Sequence, residues 1–435
     1  MSDVGSGGGA DFEGRGICAE RLLERHMEMA RIGETPTGGV DRAALNDADT
    51  DAHGLVMSWF RQPHYRIEVD DVGNLFIIRA GKDPSASPVM TGSHLDTPPN
   101  GGRFDGALGV LAGAEVLASL DRQGIATRRP IELAIWMNEE GSRFSPVTMG
   151  SAVRIGRLGL DEALNSVDEN GAVFGPQLRR YFGKLGLEPI SRPRLDPAFY
   201  VELHIEQGPI LENRGVRIGT VSGVQGVRQY RIDVTGKAAH AGTSPMDLRK
   251  DAFVAACRIA AGLSAEFADD DGRTRFTIGR MRVLPGAPNT VPEKALFTVD
   301  LRHPDPRRLA EYDAKISTVA AREASPCAVA VEPLISLEPV VFNPGICDLI
   351  TRSARHRGLS VETLLSGATH DAANMATVTK TGMIFIPCRD GVSHHEDEHA
   401  EPADMIAGAN VLFDVILALA EMTDAHAAIA APALI

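Results

Sequence analysis

Apolar and polar positions alternate along this chain in two different ways, and the change of pattern divides it. From Cys18 to about Gly215, short apolar runs alternate with longer amphipathic stretches. Cys18 to Ala30 has helical spacing. Tyr65 to Arg79 holds strand-like runs around a turn at Asp71 to Asn74. Pro88 to Gly92 is a short apolar strand, and Gly106 to Leu120 is a helix with Gly and Ala at packing positions. Ile131 to Met137 is mostly apolar, as expected of a strand covered on both faces. In Phe199 to Ile205 the residues Phe199, Val201, Leu203 and Ile205 share one face. This alternation predicts an α/β domain with a largely parallel sheet.

The middle of the chain reads differently. Val227 to Val234 is a strand, Arg249 to Leu263 a helix, Thr274 to Val283 and Lys294 to Arg302 strands, and Pro306 to Ala324 a helix. That β-α-β-β-α order is what a split βαβ, ferredoxin-like module would show. After about Leu334 the α/β pattern returns, with Met383 to Pro387 as a strand. The expected organisation is a disordered tail over 1–16, an α/β domain in two segments, 17–216 and 335–435, and an inserted α+β domain over 217–334. Met405 to Met422 is long and greasy but carries Asn410 and Asp414, so a buried amphipathic helix is expected there, not a membrane span.

Composition narrows the function classes. At 435 residues, 43% hydrophobic and 23% charged, the chain is globular and long enough for two to three domains. Its 44 basic residues against 58 acidic ones, a net charge of −14, argue against nucleic acid or a membrane surface as partner, since both demand basic patches. A small anionic substrate needs only one or two local arginines. Cys18, Cys257, Cys327, Cys347 and Cys388 are odd in number and widely spaced, so neither a disulfide framework nor a zinc knuckle is expected. Met1 to Gly16 lacks a signal-peptide pattern, and a cytoplasmic protein is the expectation.

The chemistry gathers at strand ends. Pro88–Gly92 runs into Ser93-His94-Leu95-Asp96-Thr97, and Asp105 then opens a helix. Ile131–Met137 runs into Asn138-Glu139-Glu140-Gly141. Phe199–Ile205 carries Glu202 and His204, with Glu206 next in register. Met383–Pro387 leads to Ser393-His394-His395-Glu396. Alone, His-x-Asp is usually a capping pair, Glu-Glu-Gly a solvated turn and His-His a charged loop. Four strand ends that each deliver His, Asp or Glu are another matter, because open parallel sheets build their sites at the carboxyl ends of strands. Imidazoles and carboxylates together suit two divalent cations: zinc first, with manganese, cobalt or nickel also accommodated. An Asp at a helix start can bridge the pair, and one of two adjacent glutamates can take a proton from water.

These residues also carry a resemblance. GSHLDT at 92–97, GGRFDGALGVLAG at 101–113, NEEGSRF at 138–144, HIEQGP at 204–209, GKAAHAGTSPMDLRKDA at 236–252, LPGAPNTVP at 284–292, DLRHPD at 300–305, SGATHDAANMA at 366–376 and SHHEDE at 393–398 resemble the hydantoinase/carbamoylase family. This is the amidase branch of the dinuclear-zinc aminoacylase/carboxypeptidase superfamily, and the likeness runs in order along nearly the whole chain from Cys18. It implies a zinc-peptidase-like α/β catalytic domain with an inserted ferredoxin-like lid that also forms a homodimer. By resemblance, His94 and His204 hold one metal, Glu140 and His394 the other, and Asp105 bridges. Glu139 is the implied general base, and Asp96 orients His94 by accepting its other N–H. The lid's His240 is implied to polarise the scissile carbonyl, while Asn289 and Arg302 hold the substrate carboxylate. Gln207 and His370 are further implied substrate contacts. Two departures stand out: Thr369 replaces a small residue, and His395-Glu396 replace a small residue and proline.

The implied activity is metal-dependent hydrolysis of a carbamoyl or ureido C–N bond on a small carboxylate substrate, an N-carbamoyl-L-amino acid first. Allantoate or N-carbamoyl-β-alanine are the alternatives on the same chemistry. An aminoacylase or dipeptidase is a further one, against which His204 and the Asn289/Arg302 pair weigh.

Overall fold

The computed structural model describes residues 15–190, 196–268 and 272–423, so the expected tail at 1–16 lies almost wholly outside the described residues. The chain divides into two compact units: Gly223–Val340 is one, and the segments on either side of it together form the other. Both divisions fall a few residues later than the sequence pattern suggested. The strand Ile218–Val224 still belongs to the main sheet. At the other end, Ala328–Leu337 is a ten-residue strand of the inserted unit, disguised in sequence by Pro333, where the pairing register shifts.

The main sheet runs in the order Tyr65–Val69, Leu75–Arg79, Ile131–Trp136, Val89–His94, Phe199–Ile205, Lys380–Ile386, Ile218–Val224 and Val340–Val341, with Val361–Ser366 also paired to Ile218–Val224. Its centre is parallel: Val89–His94 pairs in parallel with both Ile131–Trp136 and Phe199–Ile205, and Phe199–Ile205 with Lys380–Ile386. Antiparallel pairs flank this centre. Four neighbouring parallel strands therefore end on the same edge of the sheet.

Packing explains the apolar runs. The helix Ala107–Arg122 is buried along nearly its whole length against the sheet. A Cβ on Gly109 would sit 2.4 Å from the Leu203 carbonyl oxygen, so that glycine sets how closely helix and strand approach. The helix Pro402–Glu421 is long and apolar enough to cross a membrane, yet it lies buried on almost every side, more completely than the amphipathic helix expected. Its Asp414 accepts two 2.6 Å hydrogen bonds from the Arg357 guanidinium and one of 2.7 Å from Ser353.

The second unit has its own core. Its strands and helices follow the order β-α-β-β-α-β, and its antiparallel sheet runs Ala328–Leu337, Gly226–Thr235, Lys294–His303, Arg275–Leu284. The helices Ala252–Glu266 and Pro306–Ala324 cover one face, closing over Ile232, Val234, Phe297, Val299 and Leu301.

The Asp414 cluster yields a first prediction. Removing its charge leaves the half-buried Arg357 guanidinium partly uncompensated and puts a mismatched amide in the buried position, so Asp414→Asn should lower stability by about 2 kcal/mol. A urea titration following the first unit checks this, and an unchanged midpoint would contradict it.

Candidate metal centre

The four parallel strand ends meet at one polar cluster, buried on the side of His94, Asp105, Glu139 and His204 and open to solvent at His394. His94 closes Val89–His94, His204 lies one residue from the end of Phe199–Ile205, and Glu139 and Glu140 follow Ile131–Trp136. His394 arrives on the segment after Lys380–Ile386, and Asp105 immediately precedes the helix Ala107–Arg122. The Asp105 carboxylate is the hub. Its Oδ1 lies 3.0 Å from His204 Nε2 and 3.7 Å from His94 Nε2, while its Oδ2 lies 3.2 Å from His394 Nε2. Glu140 Oε2 stands 3.4 Å from His394 Nε2, and Glu139 Oε2 stands 3.6 Å from His94 Nε2. Among the described residues four donor groups have ligand atoms within 4.8 Å of one another: His94–Glu139–Glu140, Glu202–His204–His370, His94–Asp105–His204 and Asp105–Glu140–His394. The last two are built around one carboxylate, that of Asp105, with one oxygen facing each.

Backbone carbonyls fix the imidazoles. His94 Nδ1 is 2.9 Å from the Asp96 carbonyl oxygen, and His204 Nδ1 is 2.9 Å from that of Ile205. A carbonyl can only accept, so each Nδ1 carries a hydrogen and each Nε2 is left facing Asp105. This corrects the expectation for Asp96. It orients His94 through its main chain, whereas its carboxylate accepts the Glu139 and Glu140 amide N–H groups at 3.1 and 3.2 Å. Asp96 thus shapes the turn that presents both glutamates.

That turn and two others are strained. Asn138, Gln207 and His394 have φ values of 54°, 57° and 56°, which non-glycine residues adopt at a cost of roughly 1–3 kcal/mol each. Gly106 takes φ +62° beside them, where a Cβ would lie 2.4 Å from the His94 ring. Backbone strain concentrates at this edge of the sheet.

The electrostatics favour cations. Burial, with the charges of Asp371, Glu140 and other neighbouring acids, pushes the Glu139 carboxyl well up, and burial with Asp105 does the same to Glu140. Burial and Asp49 raise Asp96 to about 7, and burial and Asp105 raise Glu398 to about 7. Burial acts to raise Asp105 too, but the hydrogen bonds and charges of His204, His394 and His94 hold it well below the usual range. Burial lowers His94 to about 4; it also opposes protonation of His204, which Asp105 nonetheless carries up to about 9. Glu140 Oε1 and Gln207 Oε1 are buried without a hydrogen-bond partner. A cluster of carboxylates with imidazole lone pairs and orphaned oxygens is a donor set that fits divalent cations.

The remaining expected residues are placed as follows. Gln207 donates its amide to Asp105 Oδ2 at 2.8 Å and to Ser393 Oγ at 3.2 Å. His370, the other expected substrate contact, is buried, its Nε2 2.9 Å from Ser366 Oγ and its ring 4.6 Å from that of His204. His240, Asn289 and Arg302 belong to the second unit. There His240 is exposed and pairs with Thr290, and the Ala241 N–H donates to the Asn289 carbonyl, so these two loops run side by side. Arg302 is held by Asp300 through bonds of 2.8 and 3.1 Å, and Gln229 donates to the same carboxylate at 2.7 Å. Sequence reasoning placed Glu202 and Ser393 at strand ends without giving them a role, and passed over Glu398. Glu202 is buried and accepts from Ser93, Tyr200 and the Ala372 amide behind His204.

Comparison with known proteins gives this geometry its context. Residues 90–418 match the model of Peptidase family M20/M25/M40. The chain belongs to that family. Within the family it is similar to the N-carbamoyl-L-amino-acid amidohydrolase of Rhizobium meliloti, 39% identical over 95% of this chain and 100% of the relative. It is also similar to the ureidoglycolate hydrolase of Oryza sativa subsp. japonica, at 30% identity over 94% of this chain and 85% of that one. Among solved structures it resembles the hydantoinase/carbamoylase family amidase of Burkholderia multivorans, with TM-score 0.87, 42% identity, and coverage of 94% of this chain and 99% of that one. The M20/M25/M40 chain is thus a hydrolase of the hydantoinase/carbamoylase amidase branch, and divalent-metal binding goes with the family.

In this M20/M25/M40 site, cation removal should expose the carboxylate repulsion. A carboxyl held up by the fold binds more protons folded than unfolded, so stability falls as pH rises above the unfolded value near 4. The loss is complete above the folded value, about 7 for Asp96 and Glu398. Asp105, held below the usual range, is ionised in both states over this window and adds nothing to the slope. His94, lowered to about 4, opposes the trend only up to its unfolded value near 6.5, above which His204, raised to about 9, adds to it. Chelated protein should therefore melt at a lower temperature at pH 8 than at pH 5.5, and added Zn²⁺ or Mn²⁺ should shrink that difference. A differential scanning melt across pH checks it; a chelated melt that climbs with pH would refute it.

Proposed function

We propose that this enzyme hydrolyses the ureido C–N linkage of N-carbamoyl-L-amino acids, giving the amino acid, ammonia and carbon dioxide. The observation that carries the reading is the two-sided Asp105 carboxylate, with His94 and His204 at one oxygen and His394 at the other. His94 and His204 would hold one divalent cation, Glu140 and His394 a second, and Asp105 both, with zinc as the first candidate and manganese, cobalt or nickel acceptable to the same donors. Bound there, such cations supply Lewis acidity toward the scissile carbonyl and toward water. Glu139 takes a proton from the attacking water and returns it to the departing nitrogen, a role that its raised pKa suits. We assign the His240 imidazole to the developing oxyanion, and Asn289 and Arg302 to the substrate carboxylate. Gln207 is assigned to the ureido end. The cytoplasm is the compartment this reading adopts, in keeping with five free cysteines.

Ammonia release from N-carbamoyl-L-amino acids, allantoate and N-carbamoyl-β-alanine tests the substrate class. The first should turn over fastest with Zn²⁺ or Mn²⁺ present, and no turnover on any of the three would remove the reading. Glu139→Gln should cut kcat by about 10²–10⁴ while retaining the cations. Near-normal turnover would show that the base lies elsewhere.

We also propose a homodimer formed through the second unit. The edge strand Arg275–Leu284 is ten residues long and exposes Met281, and Phe253 and Val254 are exposed on the helix Ala252–Glu266 that packs near it. An unpaired edge beside an apolar helix face is a natural template for a second copy. Val254→Glu should sediment as a monomer at concentrations where the parent chain sediments as a dimer. A monomeric parent chain would end this proposal.

A further inference from the structure

Glu398 has no part in the chemistry assigned above, yet it is 4% exposed and sits where two site loops meet. Its Oε1 accepts the Phe104 N–H at 2.9 Å and the Asp105 N–H at 3.0 Å. Its Oε2 is 3.0 Å from Ser393 Oγ, which in turn is 3.0 Å from Asp105 Oδ2. One carboxylate therefore ties the loop that carries Asp105 to the loop that carries His394, although 293 residues separate it from Asp105. The fit is close: a Cβ on Gly102 would fall 1.9 Å from Glu398 Oε1. These partners are neutral amides and a hydroxyl.

We infer that Glu398 is a positioning residue, which fixes the Asp105 carboxylate against His394 and so sets the affinity of the cation position that Asp105, Glu140 and His394 share. The inference rests on the two-cation reading. Outer partners of this kind typically alter metal affinity by about 10–100-fold when removed. A glutamine at 398 keeps an oxygen for both amides and an NH₂ for Ser393, so it should preserve the tie; alanine cannot. Gly102→Ala should push the carboxylate aside without touching its chemistry.

The test is calorimetric titration of metal-free protein with Co²⁺, with the visible absorption of bound cobalt read alongside, in the parent chain, Glu398→Ala, Glu398→Gln, Gly102→Ala and Asp414→Asn. The parent chain and Glu398→Gln should bind two equivalents with matching spectra. Glu398→Ala and Gly102→Ala should bind one equivalent at parental affinity and the other about 10–100-fold more weakly, with an altered cobalt band. Asp414→Asn, destabilised far from the site, should bind both normally. Parental binding of both cations by Glu398→Ala would overturn the inference, as would the same selective loss in Asp414→Asn. Fewer than two equivalents in the parent chain would instead overturn the two-cation reading itself.

Discussion

The repulsion among buried carboxylates at the carboxyl edge of the parallel sheet is the constraint on which the rest of this structure turns. Asp96, Asp105, Glu139 and Glu398 are all buried there, and Glu140 is nearly so. Two like charges 4 Å apart repel by about 4 kcal/mol at an effective dielectric of 20, so such a cluster cannot ionise fully without help. Protons, imidazolium groups or cations are the available counter-charges. The carbonyls of Asp96 and Ile205 hold the Nε2 atoms of His94 and His204 toward Asp105. That arrangement suits a cation better than it suits a proton shared among the acids.

Each acid in the cluster is then distinguished by its partners, not by its chemistry. Asp96 is spent on the amides of Glu139 and Glu140, Glu398 on those of Phe104 and Asp105, and Glu202 on Ser93, Tyr200 and Ala372. Asp105 and Glu140 face imidazoles, and Glu139 stands beside His94 with its pKa raised. Identical functional groups thus serve as turn-shapers, ligands and base. The left-handed backbone at Asn138, Gln207 and His394 belongs to the same logic, since those turns aim side chains inward where relaxed turns would point them elsewhere.

How much of this was legible beforehand follows from the kind of signal involved. Strand ends and helix starts announce themselves through apolar periodicity, so the delivery of His, Asp and Glu by four strand ends could be read from residue type and position, while the choice of His94, Glu140, His204 and His394 around Asp105 came from the family resemblance. The outer layer could not. Glu398 lies in a run of charged residues that looks solvated, and only the fold reveals that it is buried against Gly102. Whether Asp96 holds His94 by its carboxylate or its carbonyl depends on one torsion, which sequence does not encode locally. His370 drew notice because its neighbours match a motif, while its place against His204 and Ser366 is visible only in the fold. Pro333 hid the last strand of the second unit because a proline inside a strand pattern usually signals a break.

The position of the insertion explains how a second core can be added without disturbing this edge. The chain leaves the main sheet after Ile218–Val224 and returns at Val340–Val341, and these two strands are neighbours in the sheet order. The Phe342 N–H donates to the Ser222 carbonyl at 3.0 Å, so the two ends of the insertion are pinned together by the host's own ladder. To the first unit, Gly223–Val340 is therefore equivalent to a closed loop, whose entropic cost grows only slowly with its length. The inserted unit can then stabilise itself through its own sheet and two helices. The junction lies at the far side of the sheet order from Ile131–Trp136, with Lys380–Ile386 and Phe199–Ile205 between it and Val89–His94. The inserted unit, with its His240, Asn289 and Arg302, can thus change while the strands that aim the carboxylates stay as they are.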